Sequence, residues 1–598
     1  MKRRILLLLT TLLPLVASAY DAEIDGIFYN FNGDEAEVTC DDVDYSSYED
    51  DVVVPESVTY KGKTYQVTAI GDFAFCDCWS MTSCTLPKGI KRIGMLAFEW
   101  CSYLTTITIP ESVTTIGDAA FNGSGLTSIF IPKNVTSIGI EAFADCTDLG
   151  SIAVDAANKV FDSRGDCDAI IETATNRLIA GCNGTVIPED VTCIGEYAFA
   201  GSGIETLFIP KNVTAIAKNA FHCFYNYVES IAVDTENKVF DSRNDCNAII
   251  ETATKKLIFG CKNTVIPNGV TSIERAAFHG CTMTSFDIPE SVTSIGDIAF
   301  EFCWKLTEIN LSKGLKEIGA SAFENCDGLK TITLPEGLTS IGENAFARCA
   351  NLTGIVIPKS VTKLGTTPFL QCPKLDVIKV EEGNTVYDSR NDCNAIIETA
   401  TNRLIEGCNG TVIPEDVTSI AARSFFDCRT LPSITIPKDV TVIEDGTFYY
   451  LDALTSITIP EGVTDINYRG IYCCMNLEQV SIPSTVTKIG EGAFAYCEVL
   501  KDVYCFAGQV PETGKGVFNN TPIEDATLHV PAAAIEAYRK VAPWNNFGTI
   551  VALTATPVES ISNEAENAPT TYYDLQGRKV MNPTRGIYLM NGKKVLVK

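Results

Sequence analysis

Apolar and polar residues follow one pattern from about residue 65 to residue 525. In LTTITIPESVTTIGDAAF (104–121), Ile alternates with Thr before a proline, which predicts a short strand with Ile facing inward and Thr facing outward. The proline ends the strand because it has no amide donor for the ladder. Val and Ile of VTTIG return to the same core, Gly permits a turn, and the following AF segment is long enough for a single helical or 3₁₀ turn.

This pattern repeats, mostly in steps of 22–24 residues, for example as LTSIFIPKNVTSIGIEAF (126–143) and LEQVSIPSTVTKIGEGAF (477–494). A unit of this size cannot bury its apolar side alone, whereas stacked units can, so the sequence predicts a repeat solenoid with a continuous core. One aromatic position closes each of about sixteen units: Phe75, Phe98, Phe121, Phe143, Phe199, Phe221, Phe278, Phe300, Phe323, Phe346, Phe369, Phe425, Phe448, Ile471 in place of Phe, Phe494 and Phe518.

Three longer steps each contain a near-copy of one insertion, which we call a cassette: residues 160–188, 239–267 and 386–414. Each cassette predicts a hairpin that turns at Ala174-Thr175 or its equivalent. That register places an acid opposite a base, which is favourable across antiparallel strands: Glu172 and Arg177, Glu251 and Lys256, Glu398 and Arg403. It also places two cysteines opposite each other, as candidate disulfides: Cys167 and Cys182, Cys246 and Cys261, Cys393 and Cys408.

The repeat is similar to the leucine-rich repeats of the BspA-like type, and the resemblance covers about residues 65–525. It implies a right-handed leucine-rich-repeat solenoid that is β-rich, has short helical or 3₁₀ turns and carries a parallel sheet along one face. BspA-like proteins contain cassettes of this kind. They are largely surface-exposed proteins linked to adhesion, including binding of host matrix and plasma glycoproteins, so the resemblance implies a bacterial surface or secreted protein with protein partners.

Most of the 24 cysteines belong to the repeat, although an even number in an exported chain invites a disulfide interpretation. Other units place Ser, Phe, Leu or Thr at the same position, which indicates a buried packing position where a thiol acts as a small hydrophobe. Eleven cysteines lie three residues after the repeat phenylalanine: Cys78, Cys101, Cys146, Cys281, Cys303, Cys326, Cys349, Cys372, Cys428, Cys474 and Cys497.

Both ends of the repeat have flanking segments. Residues 1–19 have a basic start, a short apolar run and Ala-Ser-Ala, the pattern of a signal peptide. Residues 20–64 are acidic and predict an N-terminal β cap with a turn at Asn32-Gly33. Residues 526–552 predict a C-terminal cap that covers the last core layer, with a short helix followed by inward-facing aromatic residues, Trp544 and Phe547.

The last segments are a polar linker (553–570) and a basic tail (571–598). Asn591-Gly592 between two apolar runs predicts a type I′ hairpin in this tail. YDLQG, GIY and the KKVLVK end resemble the C-terminal sorting sequences of the type IX secretion system, which implies contact with secretion machinery. The alternative is an edge hairpin that lysines protect from aggregation.

Composition excludes several function classes. A net charge of −29 argues against nucleic acid and against anionic membrane surfaces, and no apolar run after the signal peptide is long enough to span a membrane. The three histidines are scattered, which argues against a multi-His metal centre, and His222 and His279 fall in repeat turns as expected surface or edge residues. No hydrolase, metalloprotease or nucleotide-binding motif is present, so neither catalysis nor a cofactor is expected.

The remaining candidates are a protein-binding adhesion surface, a glycan-binding surface protein and a structural surface-layer component. The outward strand positions form the candidate partner-binding face, with Phe130 and Phe208 as anchors because exposed aromatic rings are costly unless covered. Glycan binding would use aromatic platforms, and the four tryptophans fall in repeat turns or caps. The positions of the face are Thr106, Thr108, Ser128, Phe130, Thr206, Phe208, Ser285, Asp287, Glu308, Asn310, Thr331 and Thr333.

Overall fold

The computed structural model describes residues 20–41, 48–222 and 226–553, and the backbone of four strands beyond residue 571. The chain forms two compact units. The first runs to Asp439 and includes Gly446–Ala453, and the second comprises Val440–Asp445 and the residues from Leu454 onward. Both are built of stacked β coils with very little helix, so the predicted β-solenoid is confirmed.

A mixed sheet opens the first unit, with Glu35–Thr39 and Lys63–Ile70 paired in parallel and the other pairs antiparallel. Asn32 pairs with Glu35, which places the tight turn at Gly33-Asp34, one residue after the predicted Asn32-Gly33. The last strand of this sheet then pairs in parallel with the first coil, Ile70 lying beside Ile93, so the sheet continues directly into the repeat. Its strands are Ala22–Ile24, Ile27–Asn32, Glu35–Thr39, Ser57–Tyr60 and Lys63–Ile70.

One two-residue strand per coil comes from the VTxIG segment of the repeat. These strands pair in parallel and in register, so that isoleucine lies beside isoleucine, as for Ile93, Ile116 and Ile138. The first unit contains Arg92–Ile93, Thr115–Ile116, Ser137–Ile138, Cys193–Ile194, Ala215–Ile216, Ser272–Ile273, Ser294–Ile295, Glu317–Ile318, Ser340–Ile341, Lys363–Leu364 and Ser419–Ile420.

A second set of strands occupies the position before the repeat prolines, which are absent from four of these coils, and we call the outward side of these strands the strand face. Ile129 and Ile131 are buried while Ser128 and Phe130 are exposed, the predicted period of two. The strands of the first unit are Asp50–Val53, Met81–Thr85, Ser128–Ile131, Ser151–Val154, Thr206–Ile209, Ser230–Val233, Ser285–Asp287, Glu308–Asn310, Gly354–Ile357 and Val377–Val380. A further short strand is Phe448–Tyr449.

The predicted strand around Thr106 and Thr108 keeps the alternation of burial but is not assigned to a ladder. A cleft of about 760 Å³ is lined by residues 106–112 and by residues from 83 to 88. At the end of these segments the Ser112 hydroxyl donates a 2.5 Å hydrogen bond to the Lys88 carbonyl, so a side chain joins the two coils there.

The predicted helical or 3₁₀ turn after each strand is a series of tight turns. Leu96 and Trp100, two residues before and after Phe98, both have positive φ (55° and 54°). The amide N–H groups of Glu99 and Cys101 donate to the carbonyls three residues earlier, as in a 3₁₀ turn, whereas those of Phe98 and Trp100 donate to the carbonyls of Ala120 and Asn122 in the next coil. The backbone is therefore satisfied partly within each turn and partly between coils.

The repeat phenylalanines form stacked columns in the core of the first unit. Ring centroids of Phe75, Phe98, Phe121 and Phe143 lie 5.0–5.6 Å apart. A second column, from Phe278 to Phe369, has spacings of 5.1–5.7 Å. Offset stacking of this kind adds to the free energy gained from burying the rings.

The three cassettes form hairpins with the predicted charge pairs, since Glu172 pairs with Arg177, Glu251 with Lys256 and Glu398 with Arg403. Each hairpin is preceded by a short strand and a 3₁₀ turn. The elements are Phe161–Asp162, Arg164–Asp166, Ala169–Glu172 and Arg177–Gly181; Phe240–Asp241, Arg243–Asp245, Ala248–Glu251 and Lys256–Gly260; Tyr387–Asp388, Arg390–Asp392, Ile396–Glu398 and Arg403–Glu406.

The predicted cysteine register is wrong, because a bulge between Ile170 and Ile171 shifts the pairing by one residue and gives Ala169 opposite Gly181. Cys167 then packs in one hydrophobic cluster and Cys182 in another. The second and third cassettes have the same bulge. The structure records all six cassette cysteines as free thiols: Cys167, Cys182, Cys246, Cys261, Cys393 and Cys408.

The second unit contains the same two kinds of strand and ends in the predicted aromatic cap. Phe518 makes edge contacts with Trp544 (5.7 Å) and Phe547 (5.3 Å), and both are buried. The strands are Val442–Ile443, Ser456–Thr458, Asp465–Ile466, Ile471–Tyr472, Gln479–Ile482, Lys488–Ile489, Asp502–Cys505, Glu512–Thr513, Thr527–Val530 and Thr549–Ala552, with a 3₁₀ turn Ala532–Ala534, a helix Ile535–Tyr538 and a 3₁₀ turn Trp544–Asn546.

The tail forms a four-stranded antiparallel arrangement of Lys579–Val580, Tyr572–Tyr573, Gly586–Met590 and Lys593–Val597. Met590 pairs with Lys593, the register that the Asn-Gly spacing predicts. The turn residues themselves, the predicted linker beyond residue 553 and the predicted signal peptide lie outside the described residues.

Candidate functional site

The strand face presents the two predicted aromatic anchors to solvent. Phe130 is 53% exposed and Phe208 is 47% exposed. In the parallel register Phe130 lies beside Ala153, and Phe208 lies beside Ala232. Because each neighbour is small, each ring stands above its surroundings and is open to a partner.

Five valines share the position of these phenylalanines, two residues before a repeat proline, and the sequence analysis missed them; Val53 lies in the first strand of the face, and the other four lie near the cassettes. Val186, Val265 and Val412 are each about three-quarters exposed, and Val356 is also exposed. The signal was an apolar residue in the tripeptide Phe/Val-Ile-Pro, where other units have a polar one. We call the six residues the apolar stripe: Phe130, Val186, Phe208, Val265, Val356 and Val412.

The apolar stripe follows the cassettes. The second face strand before each cassette supplies Phe130, Phe208 or Val356, and the end of each cassette supplies a valine. In most units away from the cassettes the same repeat position holds a polar residue, such as Thr108 or Thr333, and Val53 in the first strand of the face is the exception. Large exposed apolar side chains are therefore concentrated where the insertions occur, and the face is not uniform along the solenoid.

The polar residues predicted for the face interact partly with one another. Asn310 donates a 2.7 Å hydrogen bond to the Asp287 carboxylate, and Glu308 pairs with Ser285 on adjacent strands. Exposed contacts of this kind are weak, so a partner can displace them at little cost.

Ion pairs between neighbouring coils lie next to the stripe. Lys133, just after the proline that follows Phe130, pairs with Glu111 at 2.8 Å. Lys211, at the same place after Phe208, is 3.5 Å from Glu236. These lysines are thus matched by acids, which leaves the apolar residues as the distinguishing feature of this surface.

An arginine organises the loop of the cassettes. Arg164 donates to both carboxylate oxygens of Asp162 at 2.7 Å, and it also contacts Asn176 and Asp190. The third cassette repeats this arrangement at Arg390. Bidentate pairing of this type fixes geometry as well as charge, so the loop that precedes each hairpin is held in one conformation.

His279 is buried, contrary to the expectation of a surface position. Its Nε2 lies 3.1 Å from the Glu301 carboxylate, and its ring centroid is 4.3 Å from that of His222. Burial, with the nearby charges of His279 and Arg275, lowers the pKa of His222 to about 4. Among the described residues, no group of His, Cys, Asp and Glu has an arrangement suited to a metal ion.

Parallel ladders, a strand face and columns of buried phenylalanines define a repeat solenoid of the leucine-rich type. The BspA type leucine rich repeat region matches residues 68–164, 180–258, 256–376 and 412–538, in six copies. The chain therefore belongs to the BspA-type leucine-rich repeat family, as the resemblance predicted. In the part of the chain that the structure describes, every helix is too short or too polar to cross a membrane.

Solved structures of leucine-rich repeat proteins are similar to this chain. One from Bacteroides ovatus ATCC 8483 is 21% identical over 81% of this chain and 94% of its own, with a TM-score of 0.24. A leucine rich cell surface protein from Faecalibacterium prausnitzii A2-165 has the same identity and coverage and a TM-score of 0.31. The pneumococcal vaccine antigen PcpA is 14% identical over 89% and 98%, with a TM-score of 0.36. No curated protein matches the chain.

Proposed function

We propose that this chain is a non-enzymatic protein of the bacterial outer surface or the extracellular space, and that it binds host or other cell-surface proteins through the apolar stripe. The observation that carries the proposal is the concentration of six exposed apolar residues at one repeat position beside the cassettes. A soluble surface rarely keeps such residues together unless a partner covers them.

Export rests on the sequence features at the two ends. The signal-peptide pattern of residues 1–19 supports secretion, and the basic tail, with its paired strands Gly586–Met590 and Lys593–Val597, supports recognition by type IX secretion machinery. A chain truncated after Thr570 should then fail to reach the cell surface. Surface display of the truncated chain, measured by protease accessibility on intact cells, would contradict the sorting role.

Binding is tested with the purified protein on immobilised matrix and plasma glycoproteins. The double variant Phe130→Ser/Phe208→Ser should lower affinity at least tenfold for a glycoprotein that the wild type binds, since buried aromatic anchors contribute most to such interfaces. Thr333→Ser, at the same repeat position outside the stripe, is the matched control and should bind like the wild type.

Two results would contradict the proposal. Equal binding by the double variant and the wild type would exclude the stripe as the contact surface. Concentration-dependent self-association that the double variant abolishes, with no glycoprotein bound, would instead support a structural surface layer. A glycan array separates the remaining alternative, because the stripe lacks the polar groups that orient sugars.

A further inference from the structure

The turn edge of the first unit contains a cavity that is separate from the strand face. It has a volume of about 600 Å³, and none of the six stripe residues is among the residues that line it. Aromatic and acidic side chains from distant parts of the sequence line this cavity together: Trp100, Asp145, Asp148, Tyr227, Phe302 and Trp304.

The positive φ of two of the aromatic residues is a property of the repeat. Trp100 has φ 54° and Phe302 has φ 58°. Each lies two residues after a repeat phenylalanine, a position that has positive φ in other coils whatever its side chain, including Arg348, Tyr450 and Tyr496. The repeat therefore presents the side chain at this position from the same backbone conformation in successive coils.

Gly123 in the next coil fixes the position of the Trp100 ring. A Cβ atom at Gly123 would lie 2.6 Å from the indole, so only glycine lets the ring lie against this backbone. Phe302 in turn makes an edge contact with Trp304, with centroids 6.5 Å apart. The Trp100 ring is therefore held against the neighbouring coil, and Phe302 also contacts the His279 ring of the preceding coil, with centroids 5.5 Å apart.

The electrostatic character of the cavity points to a positively charged ligand. Two carboxylates line it, and none of the described lining residues is a lysine, arginine or histidine. Asp148 is exposed at the rim, while Asp145 is half-buried. The faces of aromatic rings attract cations, most strongly those of tryptophan, and this attraction increases when water is excluded. A neutral sugar would stack on the rings but would gain no electrostatic attraction from the two carboxylates.

We propose that this cavity binds an organic cation, an ammonium or guanidinium group carried on an apolar stem. The group itself would lie between the aromatic faces and the Asp145 and Asp148 carboxylates, and the stem would contact the rings. The same chemistry is offered by a lysine or arginine side chain of a partner polypeptide and by a small quaternary amine. This proposal does not depend on the apolar stripe.

Indole ¹⁵N–¹H spectra of the full chain provide a direct test, because each of the four tryptophans gives one signal. We expect n-butylammonium, which resembles a lysine side chain, to shift the signals of Trp100 and Trp304 in a saturable way. Trp79 and Trp544, which do not line the cavity, serve as internal controls. Uncharged 1-butanol should bind at least tenfold more weakly, since it lacks the charge on which cation–π attraction depends.

Substitutions test whether this cavity is the binding site for n-butylammonium. Asp148→Asn removes an exposed charge without disturbing the core and should weaken n-butylammonium binding several-fold at low salt, an effect that high salt should reduce. Trp304→Leu should abolish the shift of the Trp100 signal, whereas Trp79→Leu should not change it. Phe130→Ser/Phe208→Ser should leave these shifts unchanged, which separates this test from that of the stripe.

Three outcomes would overturn the proposal. One is equal binding of n-butylammonium and 1-butanol, and another is a saturable shift with methyl glucoside but with no cation. The third is an absence of any shift with n-butylammonium, tetramethylammonium and butylguanidinium. A preference for n-butylammonium or butylguanidinium over tetramethylammonium supports a polypeptide side chain as the source, and the reverse supports a small quaternary amine.

Discussion

The thiol of Cys326 donates a 3.1 Å hydrogen bond to the main-chain carbonyl of Phe300 in the preceding coil. The same bond joins other cysteines of the repeat to the phenylalanine about 26 residues earlier, and Thr521 makes it to Phe494 at 2.7 Å. The recurring geometry shows that this buried position fills space and also gives a second donor to a carbonyl such as that of Phe300, which already accepts from the Cys303 amide. The other pairs are Cys101 and Phe75, Cys146 and Phe121, Cys303 and Phe278, Cys349 and Phe323, and Cys372 and Phe346.

Loss of the hydrogen-bond donor should therefore lower the free energy of unfolding more than replacement of the sulfur by a hydroxyl oxygen. We expect Cys326→Ala to lower the free energy of unfolding by about 1–2 kcal/mol, because the Phe300 carbonyl loses the thiol donor, keeping only the Cys303 amide, and a small cavity opens. Cys326→Ser keeps a hydroxyl donor and should cost less. Urea denaturation measures both, and equal losses for Ala and Ser would show that packing alone determines this position.

Sequence reasoning identified this position as buried but not as a hydrogen-bond donor. The alternation of Ile and Thr, the prolines and the recurring phenylalanine give the coil, its inward residues and its neighbours, because each depends on local periodicity. The carbonyl that Cys326 reaches belongs to another coil, and only the three-dimensional offset between coils shows it. The occurrence of Ser124 and Thr521 at the same position was the available signal.

The cassettes show a second limit of sequence reasoning. The charge pair of Glu172 and Arg177 fixes the register near the turn, and the structure agrees with it. Extension of that register to Cys167 and Cys182 fails because a bulge adds one residue to one strand. The sequence of the AIIE segment does not reveal the bulge, because every residue except the last is buried and no alternation of apolar and polar residues marks the register.

The cassette cysteines should be reactive as thiols once the protein is unfolded. Because the bulge directs Cys167 and Cys182 into different hydrophobic clusters, we expect alkylation in denaturant without reductant to label both. Burial raises the pKa of Cys182, so labelling of the folded protein should be slow. A cross-linked peptide that contains both cysteines, detected by mass spectrometry, would contradict this expectation.

A glycine in each cassette allows the hairpin to pack on the next repeat phenylalanine. A Cβ atom at Gly260 would lie 2.2 Å from the Phe278 ring, so Gly260→Ala should lower the free energy of unfolding by about 1–3 kcal/mol. Gly354→Ala is the matched control, since its Cβ would be 3.5 Å from Val377, an ordinary contact. Thermal or urea unfolding compares the two, and a loss at Gly354 equal to that at Gly260 would refute the steric explanation.

Glu406 is a buried carboxyl in the third cassette, at the position of Ala180 in the first and Phe259 in the second. Phe259 stacks on Phe221 with centroids 4.5 Å apart, so this is a position in the phenylalanine column. The Oε2 atom of Glu406 has no hydrogen-bond partner, and burial raises the pKa of Glu406 well above its usual range. The folded protein therefore favours the protonated carboxyl.

Because of Glu406, the free energy of unfolding should fall as the pH rises. An unfolded glutamate releases its proton near pH 4.3, whereas folded Glu406 retains it, so the folded state binds more protons above that pH. The free energy of unfolding of the wild type relative to Glu406→Gln should then decrease by up to about 1.4 kcal/mol per pH unit until Glu406 ionises in the folded state. Urea unfolding of both proteins between pH 5 and pH 8 measures this difference, and a difference that is constant across the range would mean that Glu406 is ionised when folded.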